Sequence, residues 1–156
     1  MLFARKATHL RLGQSSERKA IRHLKKSGLT FVKQNYSCKA GEIDAIFLDG
    51  MTLVAVEVRS RSYSERQVAN SSTELKASHS INQAKKQRIR KSLDHFVRKN
   101  PEHRFRPRRF DIVSIEIIRY RPSLSSPLLQ GLKSLHLLFK STRPGSYHLD
   151  WFQGAF

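Results

Sequence analysis

The spacing of apolar residues changes several times along the chain, and each change marks a predicted element. Residues 15–27 have apolar side chains at helical spacing and are followed by Gly28, where a C-terminal cap belongs, so they predict a helix. Residues 29–36 then predict a strand. The first two predicted elements are therefore a helix and a strand.

Two further runs, residues 42–48 and 52–59, are rich in Ile, Val and Phe and predict strands. The Asp49-Gly50 pair between them is a strong signal for a tight hairpin, because both residues accept the backbone conformation that such turns need. Both faces of these strands carry large apolar residues, which is typical of strands in a sheet covered on both sides. We therefore expect an antiparallel hairpin in the middle of the sheet.

The second half of the chain is less regular. Residues 60–78 are polar and aperiodic and predict a mobile loop, residues from about 80 to 99 have helical spacing, and residues 110–118 predict an almost continuously apolar strand. Residues 121–146 contain scattered Pro, Ser and Gly, and residues 147–152 predict an edge strand. The predicted order is thus helix, three strands, helix, strand and an irregular tail.

Composition and charge limit the kinds of partner. The 156 residues include 30 Lys and Arg against 12 Asp and Glu, a formal net charge of +18, in a length typical of one domain. Basic side chains that neutralise phosphates release counterions, so this charge favours a polyanion, with an anionic membrane surface as the competing partner. No apolar stretch is long enough for a membrane span, and the single cysteine, Cys38, excludes an internal disulfide, so we expect a cytoplasmic location.

The basic residues are concentrated in two parts of the chain. Ten lie between Arg5 and Lys39, against the single acid Glu17, and eleven lie between Lys85 and Arg109, against two acids. This imbalance favours contact with the backbone of DNA or RNA. No helix-turn-helix, zinc-finger or RNA-recognition motif is present in the sequence, so we expect binding without sequence specificity. The oligomeric state is open, with a homodimer among the alternatives.

The twelve acidic residues are unevenly distributed, and four of them lie within sixteen positions of the most apolar part of the chain. A two-residue turn at the hairpin predicts a register in which Glu42 faces Glu57 and Asp44 faces Ala55. Because side chains alternate along a strand, Glu42, Asp44, Glu57 and Arg59 then share one face. The opposite face holds Ile43, Ala45, Phe47, Val54, Val56 and Val58.

Carboxylates on a covered strand face need a compensating charge. Two of them about 4 Å apart repel by roughly 4 kcal/mol at an effective dielectric near 20, and each also loses hydration. Mg²⁺ at Asp44 and Glu57 would remove both costs, since this ion favours carboxylate oxygens together with water and phosphate oxygens. An ion pair between Glu57 and Arg59 would do the same, and so would exposure at the strand end. The spacing is compatible with all three arrangements.

Glu17 is a further candidate for the acidic cluster. It precedes Ala20, Ile21 and Leu24 by three, four and seven positions and so lies on the apolar face of the predicted helix. From there its side chain could reach the hairpin. The alternative is that a Glu in the first turn complements the helix macrodipole.

Several segments together resemble a known family. Gly41-Glu42-Ile43-Asp44 and Val56-Glu57-Val58-Arg59-Ser60-Arg61 resemble the GEID and VEVKxR signature of the bacterial YraN family, an uncharacterised group. Further blocks occur in that family's order, namely Asn35-Tyr36, Lys86-Gln87-Arg88, Arg109-Phe110-Asp111-Ile112-Val113 and residues 149–156. The resemblance covers residues 13–118 and 147–156 of a single domain spanning 1–156, and residues 121–146 look like an insertion.

The resemblance implies a restriction-endonuclease-like α/β core of order αβββαβ, with a central mixed sheet of about four to five strands flanked by helices. It also implies a metal site of the PD-(D/E)xK type, in which Asp44, Glu57 and the backbone carbonyl of Val58 bind Mg²⁺ or Mn²⁺. Arg59 stands where such sites usually have Lys. Because guanidinium is larger and does not deprotonate, this exchange is not neutral, and Lys86 on the second helix is a candidate to replace the missing Lys.

The sequence and the resemblance together predict a metal-dependent nuclease that hydrolyses phosphodiester bonds in DNA or RNA. The alternative is a nucleic-acid-binding protein whose nuclease-like site is inactive. The candidate catalytic residues are Asp44, Glu57, Arg59, Glu17 and Glu42, and the candidate nucleic-acid contacts are Arg61, Lys85, Lys86, Arg88 and Arg109. For Asp111 we expect an ion pair with Arg109 or a contact with the backbone.

Overall fold

Five strands form one mixed sheet with a helix on each face. The computed structural model describes residues 2–64, 81–119 and 146–156. The sheet order is β1-β2-β3-β4-β5, with β3 and β4 parallel and every other neighbouring pair antiparallel. The elements are α1 (Leu2–Lys26), β1 (Thr30–Cys38), β2 (Gly41–Asp49), β3 (Thr52–Ser64), α2 (Gln83–Lys99), a 3₁₀ turn (Pro101–His103), β4 (Arg108–Arg119) and β5 (Tyr147–Phe152). The predicted order αβββαβ and the mixed sheet are confirmed.

Helix α1 ends as predicted but begins much earlier. The N–H of Leu29 donates to the carbonyl of Leu24 at 3.1 Å, and Gly28 has a φ of 96°, so a glycine closes the helix. Because the helix begins at Leu2, Glu17 lies in its interior. The interpretation of Glu17 as a first-turn residue that complements the macrodipole is therefore wrong.

The β2–β3 hairpin has a different register from the predicted one. Asp49 pairs with Thr52, so the two-residue turn is Gly50-Met51 rather than Asp49-Gly50. The carboxylate of Asp49 accepts a hydrogen bond from Arg109 of β4 at 2.7 Å, which stabilises Asp49 in the strand. The hairpin ladder therefore runs from Asp49 opposite Thr52 to Ala45 opposite Val56.

The predicted alternation of β2 fails at Asp44. Ala45 packs in the apolar cluster on the α1 face, whereas Ile43, two residues earlier, packs in the cluster on the α2 face. Opposite this point, Asn35 of β1 has a φ of 51°, a left-handed conformation that Asn tolerates better than most residues. The placement of Ile43 on the same face as Ala45 was therefore wrong, and the strand changes face at the acid.

Two apolar clusters hold the helices to the sheet. On one face, Ala20 and Leu24 of α1 are fully buried against β2, β3 and β4. On the other, Ile89 and Leu93 of α2 are buried against β2 and β3. Truncating such a Leu to Ala typically costs about 2–5 kcal/mol of stability. The hairpin is thus covered on both sides, as its composition predicted.

The segment between β3 and α2 differs from the prediction at both ends. Strand β3 continues to Ser64, because its backbone pairs with β4 as far as Arg119 and this pairing does not depend on apolar side chains. The first part of the predicted loop, residues 60–64, is therefore strand, and residues 65–80 lie outside the described residues. The predicted insertion, residues 121–146, also lies outside them except for Ser146, whose carbonyl accepts from the N–H of Ile118.

Asp111 ties the C-terminal segment to the sheet. Its side chain is completely buried and accepts hydrogen bonds from Arg109, from Trp151 Nε1 at 3.0 Å and from the N–H of Gly154 at 3.0 Å. The predicted Arg109–Asp111 ion pair is confirmed. Asp111 and Arg109 thus join β4, β5 and the hairpin turn.

Candidate functional site

Asp44 and Glu57 lie side by side where β2 and β3 separate. The last backbone pair of the hairpin is Ala45 with Val56, and Asp44 and Glu57 are the next residues outward on the two strands. The corrected register therefore brings Asp44, rather than Glu42, next to Glu57. We refer to Asp44 and Glu57 as the acid pair.

The side chain of Asp44 is held by the backbone of the neighbouring strand. Its Oδ2 accepts a hydrogen bond from the N–H of Val58 at 2.7 Å. In a strand the N–H and C=O of one residue point towards the same neighbour, so the carbonyl of Val58 is on the Asp44 side of β3. The residues of the predicted metal site, Asp44, Glu57 and Val58, are thus neighbours in space.

The environment of Asp44 disfavours its charged form. Burial and the nearby carboxylate of Glu57 raise the pKa of Asp44 to about 7, although the Val58 N–H and the ammonium of Lys85 act in the opposite direction. Glu17 adds a further negative field. A compensating cation would therefore favour the ionised form of Asp44.

Glu57 is also shifted, and it has a cation beside it. Burial raises the pKa of Glu57, while Lys85 and then Arg59 lower it. Lys85 Nζ lies 3.1 Å from Glu57 Oε2, and the side chain of Glu57 is only 11% exposed. Lys85 lowers the pKa of Glu57 both by its charge and by its side-chain hydrogen bond, and because a carboxylate has several acceptor positions, Glu57 keeps acceptor capacity beyond this one contact.

Lys85 reaches the acid pair because of how α2 begins. Asn82 caps the helix, and its side-chain oxygen accepts from the N–H of Lys85 at 2.8 Å. A cation in the first turn of a helix faces the positive end of the macrodipole, which is unfavourable unless a negative group is near. Glu57 is that group.

Lys86, the residue predicted to replace the missing Lys, points elsewhere. Its Nζ lies 5.4 Å from the centre of the Phe156 ring, at the C-terminal segment. Lys85, which the sequence suggested only as a nucleic-acid contact, is the lysine beside the acid pair. The helical pattern contained no signal to separate the two, because both lie within one turn of the buried Ile89.

The other two candidate acids surround the acid pair from different sides. Glu17 of α1 accepts from the side-chain amide of Gln34 at 3.4 Å and influences Asp44 electrostatically. Glu42 is exposed and lines a groove of about 210 Å³ together with Lys85 and Arg88. Glu17 therefore lies near enough to Asp44 to act on it electrostatically, and its part in the site stays a prediction.

The remaining basic candidates lie in different environments. Arg59 is half-buried and lowers the pKa of Glu57 by its charge, and Arg61 is exposed further along β3. Arg88 borders the groove beside Glu42. Arg109 is different, because its guanidinium bonds both Asp111 and Asp49 and so serves the fold.

Two kinds of feature are absent from the described residues, namely a cluster of three metal-binding side chains and a membrane-spanning helix. No three His, Cys, Asp or Glu side chains in residues 2–64, 81–119 and 146–156 are grouped as a metal site would be, so a metal here would depend on two carboxylates and backbone or solvent oxygens. Neither described helix is long and apolar enough to cross a membrane.

The fold and the acid pair define the class of protein. A helix, a three-stranded antiparallel meander, a second helix and a parallel return strand form a restriction-endonuclease-like α/β core, with two acids at the point where the central strands separate. The chain belongs to the uncharacterised protein family UPF0102, also called YraN, whose family model matches residues 16–115. The resemblance noted from the sequence is confirmed.

Relatives from several bacteria match about two thirds of the chain. A UPF0102 protein of Legionella pneumophila is 42% identical over 104 residues, which are 67% of this chain and 81% of that protein. A UPF0102 protein of Alcanivorax borkumensis is 38% identical over 104 residues, 67% of this chain and 77% of the relative. One of Ectopseudomonas mendocina is 36% identical over 109 residues, 70% and 85% of the two chains.

Proposed function

We propose that this protein is a divalent-metal-dependent nuclease that hydrolyses phosphodiester bonds in DNA or RNA. The observation that carries the proposal is the acid pair, two carboxylates placed together in a largely buried position, with Lys85 in contact with one of them. A strongly basic chain that places acids together in this way is suited to holding a cation against a phosphate.

The residues fit a divalent ion of the Mg²⁺ type. Asp44 and Glu57 both have a raised pKa because of burial, so a bound cation would favour the ionised form of each. Glu57 Oε2 has acceptor capacity, and the carbonyl of Val58 would be a third oxygen ligand. When bound, Mg²⁺ or Mn²⁺ would polarise the scissile phosphate and lower the pKa of a water molecule.

The chain itself would supply positioning and positive charge. The Val58 N–H fixes the orientation of the Asp44 carboxylate, so that its second oxygen can bind the cation. Lys85 would stabilise the negative charge that develops on the phosphate, since its ammonium has three donors and is already beside Glu57. Lys85 would thus take the role usually given to the Lys at the position of Arg59, and Arg59 would add a second positive charge.

One observation favours the alternative, a nucleic-acid-binding protein with an inactive site. The ion pair between Lys85 and Glu57 compensates one carboxylate without a metal, and Asp44, whose pKa is about 7, is partly protonated near neutral pH and in that form needs no compensating cation. In that case the basic residues would bind the nucleic acid and the acid pair would be structural.

Cleavage assays on a defined panel of substrates distinguish the two functions. The purified chain would be incubated with Mg²⁺ or Mn²⁺ and with single-stranded, duplex, flapped and branched DNA and RNA. The nuclease proposal expects cleavage that is lost in Asp44→Asn and Glu57→Gln but retained in Asp94→Asn, which removes a carboxylate outside the site. If no substrate is cleaved while all are bound with steep salt dependence, the binding function is correct.

A further inference from the structure

A shallow groove on α1 is lined by four positively charged side chains. It has a volume of about 450 Å³ and lies between α1 and the edge strand β1. Its lining residues are Arg18, Ile21, Arg22, Lys25, Lys26 and Gln34. We refer to it as the α1 groove.

The charges in the α1 groove are unfavourable for the isolated protein. Arg18 and Arg22, and then Arg22 and Lys26, are four positions apart on the helix, where like charges destabilise it. None of the described residues that line the groove is acidic. No carboxylate among these described residues compensates the charges, so the arrangement is suited to an external anion.

Part of this charge has a structural explanation, and part does not. Lys25 and Lys26 lie in the last turn of α1, where cations complement the macrodipole, and Lys25 Nζ also lies 4.5 Å from the centre of the Phe31 ring. Arg18 and Arg22 are both exposed and lie before that last turn. The charges of Arg18 and Arg22 are therefore the ones that the helix terminus does not explain.

The α1 groove adjoins the acid pair. Gln34, one of its lining residues, donates to Glu17, and Glu17 is close enough to Asp44 to act on it electrostatically. Lys85 and Arg88 border the smaller groove beside Glu42, on the α2 face of the sheet. Basic groups therefore flank the acid pair from both faces.

We propose that the α1 groove binds the phosphate backbone of a nucleic acid, on the side of the acid pair opposite to Lys85 and Arg88. A phosphate backbone fits because its charges repeat along a line, as do those of Arg18, Arg22 and Lys26 along the helix. The inference rests on the nucleic-acid part of the proposed function and does not require cleavage.

The test is a comparison of two double variants that lose the same charge. Arg18→Gln with Arg22→Gln alters the α1 groove, and Lys91→Gln with Lys99→Gln alters two exposed positions on α2 outside both grooves. Binding of a fluorescent 30-base-pair duplex would be measured in EDTA across a salt series. We expect the groove variant to bind the duplex about tenfold or more weakly at 0.1 M salt. The slope of log affinity against log salt concentration should also decrease by the equivalent of about two phosphate contacts.

Each other outcome has a definite meaning. Equal losses in both variants, or no loss in either, would overturn the proposal, because net charge alone would then explain binding. Loss of binding to phosphatidylserine vesicles with unchanged duplex binding would assign the groove to a membrane surface instead. If the groove variant alone loses duplex binding while the wild type cleaves nothing with Mg²⁺ or Mn²⁺, the proposed binding role of the α1 groove is supported and the proposed nuclease activity is rejected.

Discussion

Lys85 Nζ lies 3.1 Å from Glu57 Oε2, so the first turn of α2 is joined to the central strand β3 by an ion pair at the acid pair. The neighbouring Lys86 extends towards Phe156 instead. Two adjacent lysines therefore have different environments, which provides a matched pair for mutagenesis.

Lys85→Met should reduce cleavage far more than Lys86→Met. Removing one preorganised donor at a developing negative charge typically costs about 10²–10³ in kcat, whereas Lys86 has no contact with the acid pair. Single-turnover rates at saturating metal would measure this. Equal rates for Lys85→Met and the wild type would exclude Lys85 from catalysis, and melting temperatures would show that both variants are folded.

Asp44→Asn should stabilise the metal-free protein at high pH and not at low pH. The pKa of Asp44 is about 4 in the unfolded chain and about 7 in the folded protein, so the folded protein holds this proton more tightly. The contribution of Asp44 to the stability of the wild type is therefore largest below about pH 4, and it is lost as the pH rises to about 7. The increase in pKa limits the difference in the free energy of unfolding between variant and wild type to about 4 kcal/mol, and the partial exposure of Asp44 makes it smaller. Urea unfolding of the variant and the wild type in EDTA at pH 4.5 and 8 would measure this difference. A stability difference that is the same at both pH values would contradict the prediction.

Metal affinity should increase with pH up to about 7. Because Asp44 must lose a proton to bind a cation, the apparent affinity for Mn²⁺ should rise by up to about tenfold per pH unit below the pKa of about 7 and then level off. Calorimetric titration between pH 5.5 and 8.5 would show this, with proton release on binding at the lower values. Glu57→Gln with Asp44→Asn is the control that should not bind. A pH-independent affinity would exclude Asp44 as a ligand.

Asp111→Ala should be strongly destabilising, because it leaves Arg109, Trp151 and the Gly154 N–H without their buried acceptor. Removing one partner of a buried ion pair typically costs about 3–5 kcal/mol. Asp94→Ala is the matched control, since its pairing with Arg108 is largely exposed and should be worth less than about 1 kcal/mol. Denaturant midpoints would compare them, and similar losses would contradict the buried network.

The sequence pattern predicted the order of the elements and the central position of the hairpin correctly. Hydrophobic periodicity and turn residues act locally, so α2, β4 and β5 were found close to their actual bounds. Asp44 and Glu57 were both singled out, because acids in a strongly apolar hairpin are conspicuous against the basic remainder of the chain, but the predicted register set Glu42 rather than Asp44 opposite Glu57. These features depend on short-range chemistry.

The register of the hairpin depended on a contact that the local pattern does not contain. Arg109, sixty positions after Asp49, bonds its carboxylate and stabilises it as a strand residue, which moves the turn to Gly50-Met51. The change of face at Asp44 likewise involves Asn35 on another strand. Both errors arose because long-range partners overrode local turn chemistry.

The sequence by itself thus determined the elements, the basic character of the chain and the two acids that belong together. Only the tertiary structure decided that Lys85 rather than Lys86 contacts Glu57, and that Arg109 serves the fold. It also decided that the basic residues of α1 line a groove next to Glu17. The physical reason is that helical periodicity specifies which face of an element is apolar, whereas the packing of helices on the sheet sets which polar side chain meets which partner.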